Sequence, residues 1–182
     1  FIDASPEELV NDVLYQIGAV REFGRRHGIP LQHVKPHGAL YMEAARNETL
    51  SAQLVQALIA LNGDLILFCM GMSKTYDIAR AAGLTTVREF FADRDYGDDG
   101  SIIFKRTVQR SDPEAIADKC LRACKEGTVV TDTGNVIEVA FESICFHSDT
   151  PGALDNGRAI KARLEANNIR IAPAAEVLAR MR

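Results

Sequence analysis

The sequence has no excess of basic residues: 21 Lys and Arg stand against 25 Asp and Glu, for a formal net charge of -4. It therefore lacks the electrostatic footprint of a nucleic-acid binder. The densest basic cluster, Arg21, Arg25 and Arg26, reads as the solvated face of a helix. No apolar run reaches the roughly 20 residues of a membrane-spanning helix, so no such span is expected. No paired C-x-x-C set is present, which argues against a structural zinc site. Cys69, Cys120, Cys124 and Cys145 read instead as buried, reduced thiols of a cytoplasmic protein. The opening residues have neither a basic n-region nor an apolar h-region, so no signal peptide is expected. The missing initiator Met suggests a natural start further upstream. What is present, 47% hydrophobic and 25% charged residues over 182 positions, suits a single globular domain over 1–182.

Two kinds of segment alternate. Ser5-Pro6-Glu7-Glu8 carries a cap, a first-position proline and first-turn acids. Leu9, Val13, Ile17 and Val20 then recur at helical spacing as far as His27-Gly28. Further helices are expected over 48–61, 73–82, 111–125, 151–168 and 174–181. Short apolar runs at 31–35, 65–69, 85–89 and 143–146, with a shorter candidate at 169–171, read as strands. Strands separated by helices predict βαβ units with parallel pairing. Thr128–Thr131 and Val136–Val139, joined by Asp132-Thr133-Gly134-Asn135, predict an inserted β-hairpin.

Parallel α/β folds bind ligands at the carboxyl ends of their strands. Three of those ends here are dense in ionisable groups. The first carries Lys35 and His37. Lys35 is suited to stabilising negative charge on a carbonyl oxygen, and His37 to proton transfer near neutral pH. The third carries Asp93 and Arg94, which either form a loop-orienting ion pair or bind, respectively, an amine or water and a carboxylate. The fourth carries His147, an acid/base or substrate contact, and Asp149, expected to cap the helix that begins near Pro151. Ser148 between them lacks the G-x-S-x-G context of a nucleophile. Asp95, Asp98 and Asp99 lack the spacing of a calcium loop and read as a solvated turn.

The strings KPHGALY at 35–41, FADRDY at 91–96 and CFHSDTPGA at 145–153 resemble, in order and spacing, the motifs of the LamB/YcsF family. LYQIGA at 14–19 resembles the helix before the first of them. The resemblance implies a seven-stranded β/α barrel, incomplete here, akin to glycoside hydrolase and polysaccharide deacetylase barrels. It also implies ATP-dependent opening of the 5-oxoproline lactam to glutamate, together with B and C subunits. Carried over by position, Lys35, His37, Asp93 and His147 become candidate catalytic residues. Arg94, Asp149 and Tyr41 become candidate substrate contacts. ATP would enter through the multisubunit complex. The segments resembling DLNCDLGE, CGFHAGDP and AHPGYPD are absent, and with them the ligands a divalent metal would need. The chain is accordingly expected to be a C-terminal part of such a protein. Its open sheet edges are expected to be covered by another chain, with homo-oligomerisation as one route, or else by the N-terminal helix and the 128–139 hairpin folding over them. Two rival readings are a metal-dependent amidohydrolase or deacetylase and a non-catalytic remnant that only binds the other subunits. Ser148 stands where the family usually has Gly, and Met42 where it often has Asn.

Overall fold

The computed structural model describes residues 3–61, 65–103, 105, 107 and 109–181. Part of the N-terminal reading, Phe1-Ile2, lies outside them. The chain divides into two compact units, residues 1–88 and 89–182, with the boundary inside one strand.

In the first unit, α1 (Pro6–Arg26) starts where its cap chemistry places it. The Ser5 hydroxyl accepts from the Glu8 N–H at 3.3 Å, and the Ser5 N–H donates to Glu8 Oε2 at 2.8 Å. The helix ends in a Schellman turn. Gly28 takes a φ of +69°, and the Ile29 N–H reaches back to the Gly24 carbonyl at 2.9 Å. The inward face of α1, Val10, Val13 and Ile17, packs in one cluster with Leu50, Leu54, Val55 and Leu58 of α3 (Glu48–Ala60). Burying each such side chain contributes about 1.5–3 kcal/mol. Strands β1 (His33–Val34) and β2 (Ile66–Met70) pair in parallel, with Val34 opposite Leu67. Helix α4 (Lys74–Ala81) follows β2, capped by the Ser73 hydroxyl on the Tyr76 N–H at 3.1 Å.

One helix is not among those the sequence predicts: α2 (Gly38–Arg46) stands between β1 and α3, where a strand-end loop is expected. Its Ala, Leu, Met, Glu and Arg are strong helix formers. The Pro and Gly at its start disguise it, and Gly38 adopts a φ of +55°. The candidate substrate contact Tyr41 is therefore a buried helical residue.

The second unit begins within β3 (Thr86–Phe91), which pairs in parallel with β6 (Ser143–Cys145). Between them lie α5 (Pro113–Glu126) and the hairpin of β4 (Thr128–Val130) and β5 (Val136–Glu138), which is antiparallel as the sequence predicts. Asp112 caps α5 by accepting from the Glu114 N–H, and Gly127, with φ +66°, stops it. Helix α6 (Ala153–Ala166) packs on α5, and α7 (Ala174–Arg180) follows it. The strand expected at 169–171 does not form. Asn168 takes a φ of +60° and the Ile169 N–H returns to the Leu164 carbonyl at 2.9 Å. The segment is spent on the C-terminal turn of α6 rather than on a ladder. The result is an α/β fold with parallel strands and helices; among the described residues four strands pair in parallel and two form the separate hairpin, so seven barrel strands are not seen.

Candidate active site

Register is what builds the site. Phe91 of β3 lies opposite Cys145 of β6, and the Ala92 N–H extends the ladder to the Cys145 carbonyl at 2.9 Å. Asp93 and His147 each stand two residues beyond that pair, just past the strand ends, so the ladder brings their backbones side by side.

The Asp93 side chain is fully buried and saturated with donors. His147 Nδ1 lies 2.9 Å from Oδ1. Oδ2 accepts from the His147 backbone N–H at 2.9 Å and from the Thr150 hydroxyl at 2.7 Å. The Arg94 guanidinium stands 3.1 Å from the same oxygen. Burial alone opposes ionisation of this carboxyl. The hydrogen bonds from the His147 ring, Thr150 and the His147 N–H outweigh it and hold the carboxyl below its usual range. An ionised carboxylate only accepts, so the ring proton facing it sits on Nδ1 and Nε2 becomes the proton-accepting atom. The Phe91 ring stacks on the imidazole, centroids 5.9 Å apart, while a third of the His147 side chain remains exposed. A buried carboxylate that fixes the tautomer of a partly exposed histidine is an acid/base arrangement.

Asp93, but not His147, borders an open cavity of about 490 Å³ that is also lined by Arg94, Asp95, Lys105, Arg110 and Ser111, among others. Lys105 pairs with Asp95, and Arg110 with Asp155 at 2.8 Å. The three cations that line the cavity, Arg94, Lys105 and Arg110, are thus each paired with a carboxylate.

Of the two roles that the sequence allows for Asp93 and Arg94, the ion pair is the one that forms. The two residues form an ion pair at 3.1 Å, and both line the cavity. Asp149 is exposed and does not cap α6. Gly152, at φ +85°, holds the N-cap position without a side-chain bond, because the turn after Thr150 delays the helix to Ala153. Lys35, His37 and Tyr41 belong to the first unit. Lys35 Nζ lies 5.8 Å from the Tyr41 ring centroid, and His37 is the N-cap residue of α2, its carbonyl accepting from the Tyr41 N–H at 3.3 Å. Sequence reasoning misses Thr150, Lys105 and Arg110. The position of Thr150, three residues after a strand-end His and just before Pro-Gly, is the available signal for it. Nothing local marks Lys105 or Arg110.

Of the cysteines, Cys69 and Cys120 are buried as expected, whereas Cys124 and Cys145 are only partly so. Among the described residues no group of three or more His, Cys, Asp or Glu is placed to hold a metal ion, and no helix is long and apolar enough to cross a membrane.

Fold and site together define an α/β protein with a carboxylate–imidazole pair at its parallel strand ends. Comparison with known proteins gives the family. The chain belongs to the LamB/YcsF family, which matches residues 1–179. It is 54% identical over 170 residues to the 5-oxoprolinase A-subunit 1 of Pseudomonas aeruginosa, covering 93% of this chain and 68% of that one. It is 49% identical over 168 residues to the 5-oxoprolinase A-subunit 1 of Pseudomonas putida, covering 92% and 67%. Among solved structures it is similar to the Lactam Utilization Protein from Thermus thermophilus. The TM-score is 0.84 at 35% identity, over 93% of this chain and 68% of that one.

Proposed function

We propose that this chain is part of a 5-oxoprolinase that hydrolyses the lactam of 5-oxoproline to glutamate, and that Asp93 and His147 are its acid/base pair. The observation that carries the chemistry is the buried Asp93 carboxylate bonded to His147 Nδ1 at 2.9 Å beside a cation-lined cavity. A lactam is a resonance-stabilised amide. Opening it requires charge stabilisation at the carbonyl oxygen and a proton for the departing ring nitrogen. In this reading His147 Nε2 moves the proton, and Asp93 holds the tautomer and stabilises the imidazolium that forms. Arg94 takes the substrate carboxylate. By the family resemblance Lys35 and His37 of the first unit are further candidates for charge stabilisation and proton transfer, and Tyr41 and Asp149 for substrate contact. ATP, supplied through B and C subunits, would activate the amide oxygen; Lys105 and Arg110 carry the charge that fits a phosphate. The seven-stranded β/α barrel of the family is the proposed frame.

The test is ATP-coupled glutamate formation from 5-oxoproline by the chain, completed with the N-terminal part of a relative and with the B and C subunits. Asp93→Asn and His147→Gln are each expected to lower turnover by about 10²–10⁴-fold. His37→Ala is expected to do so with little change in stability. Wild-type rates in both Asp93→Asn and His147→Gln would remove the pair from the mechanism.

A further inference from the structure

We propose that Lys119 of α5 is a positioning residue for the Asp93–His147 pair: its ammonium binds the backbone carbonyls that flank Asp93 and fixes the strand end from which the carboxylate reaches the imidazole.

The Lys119 ammonium donates to the carbonyls of Phe91 at 3.1 Å, Ala92 at 3.3 Å and Arg94. An ammonium has three donors, and here three carbonyls on either side of one residue take them. Past Ala92 the chain leaves the β3–β6 ladder, so carbonyl partners at this strand end have to come from elsewhere. Two rings hold the cation in place. Lys119 Nζ lies 5.5 Å from the Phe90 centroid and 5.1 Å from the Tyr96 centroid. Tyr96 joins the same framework by accepting from the Phe91 N–H at 2.7 Å through its hydroxyl oxygen. Burial pushes the ammonium down to about 8, which leaves it protonated at neutral pH. The charged groups acting on it are the Asp95 and Asp93 carboxylates, which oppose the effect of burial. Lys119 acts through the backbone that carries Asp93, and so couples the register of α5 to the geometry of the pair.

The inference rests on the reading that Asp93 and His147 are the working pair, and its test separates the two. In the 182-residue chain, the downfield proton resonance of the His147 Nδ1–H reports the bond to Asp93 without any turnover. Lys119→Met keeps the length of the side chain and removes every donor. Lys119→Gln keeps two donors and loses the charge. Lys119→Met is expected to remain folded by circular dichroism, to lose this resonance, and to lower kcat at least about tenfold with KM within about threefold. Lys119→Gln is expected to exchange that proton faster than wild type but to retain the signal. Ile116→Val, on the same helix, lowers stability without touching the strand end and is expected to keep the resonance. An unchanged resonance and kcat in Lys119→Met overturns the proposal. If Lys119→Met does not fold, a wild-type exchange rate in Lys119→Gln overturns it. If wild type shows the resonance but no lactam hydrolysis in the completed enzyme, the functional reading fails. The resonance comparison still decides the role of Lys119.

Discussion

The Thr150 hydroxyl stands 2.7 Å from Asp93 Oδ2 and, on its other side, accepts from Arg94 Nη1 at 3.2 Å. One small side chain thus joins the carboxylate to the guanidinium beside it, and orders the turn by which the chain leaves β6 for α6. A hydrogen bond to a charged group is worth about 1.5–3 kcal/mol.

Thr150→Val keeps the shape and removes this bond, so its effect has a defined sign. The folded-state carboxyl of Asp93 is held below its unfolded value. It therefore contributes stability that is present above the unfolded value and lost as pH falls through the folded one. With one donor fewer, the folded value rises toward the unfolded one, so the acid-dependent loss is expected to be smaller in Thr150→Val and complete at a higher pH than in wild type. Urea unfolding from neutral pH down into the carboxylate range measures it, and superimposable acid limbs would contradict the assignment.

Two glycines of α1 are expected to respond in opposite directions to alanine. A Cβ at Gly24 would stand 2.6 Å from the Ile29 carbonyl oxygen, inside the turn that ends the helix. Gly24→Ala should cost roughly 1–3 kcal/mol of stability through that overlap. At Gly18 a Cβ meets nothing within 4 Å, so Gly18→Ala should gain about 0.5–1 kcal/mol from helix propensity alone. Denaturation midpoints of the two variants decide the point, and shifts of the same sign would refute it.

Thiol reactivity should divide along α5. Burial pushes the Cys120 thiol up to about 12, and its side chain is inaccessible. Burial also raises Cys124, one turn away, but that residue is partly exposed. Alkylation in mildly alkaline buffer, followed by peptide mass analysis, should modify Cys124 in the native state and Cys120 only at the rate of unfolding. Equal native-state labelling would show that the inward face of α5 is open.

Much of this protein is readable without coordinates, and what is readable is local. The cap at Ser5, the αL stops at Gly28 and Gly127 and the hairpin over 128–139 follow from side chains acting on backbone a few residues away. The same holds for the periodic apolar faces of α1 and α3. So does the placing of Asp93 and His147, since ionisable residues directly after apolar runs mark strand ends. What misleads is also local in origin. Gly38 and Pro36 mask α2, and the apolar 169–171 imitates a strand.

Tertiary structure alone decided which of the candidates meet. The parallel register of β3 and β6 turned a separation of 54 residues into a 2.9 Å contact. The same packing recruited Thr150 and Lys119, whose roles no spacing rule marks. A hydrogen bond depends on distance and direction in space, whereas sequence patterns report only neighbours along the chain. The chemistry of the side chains was therefore legible in advance, but their partners were not.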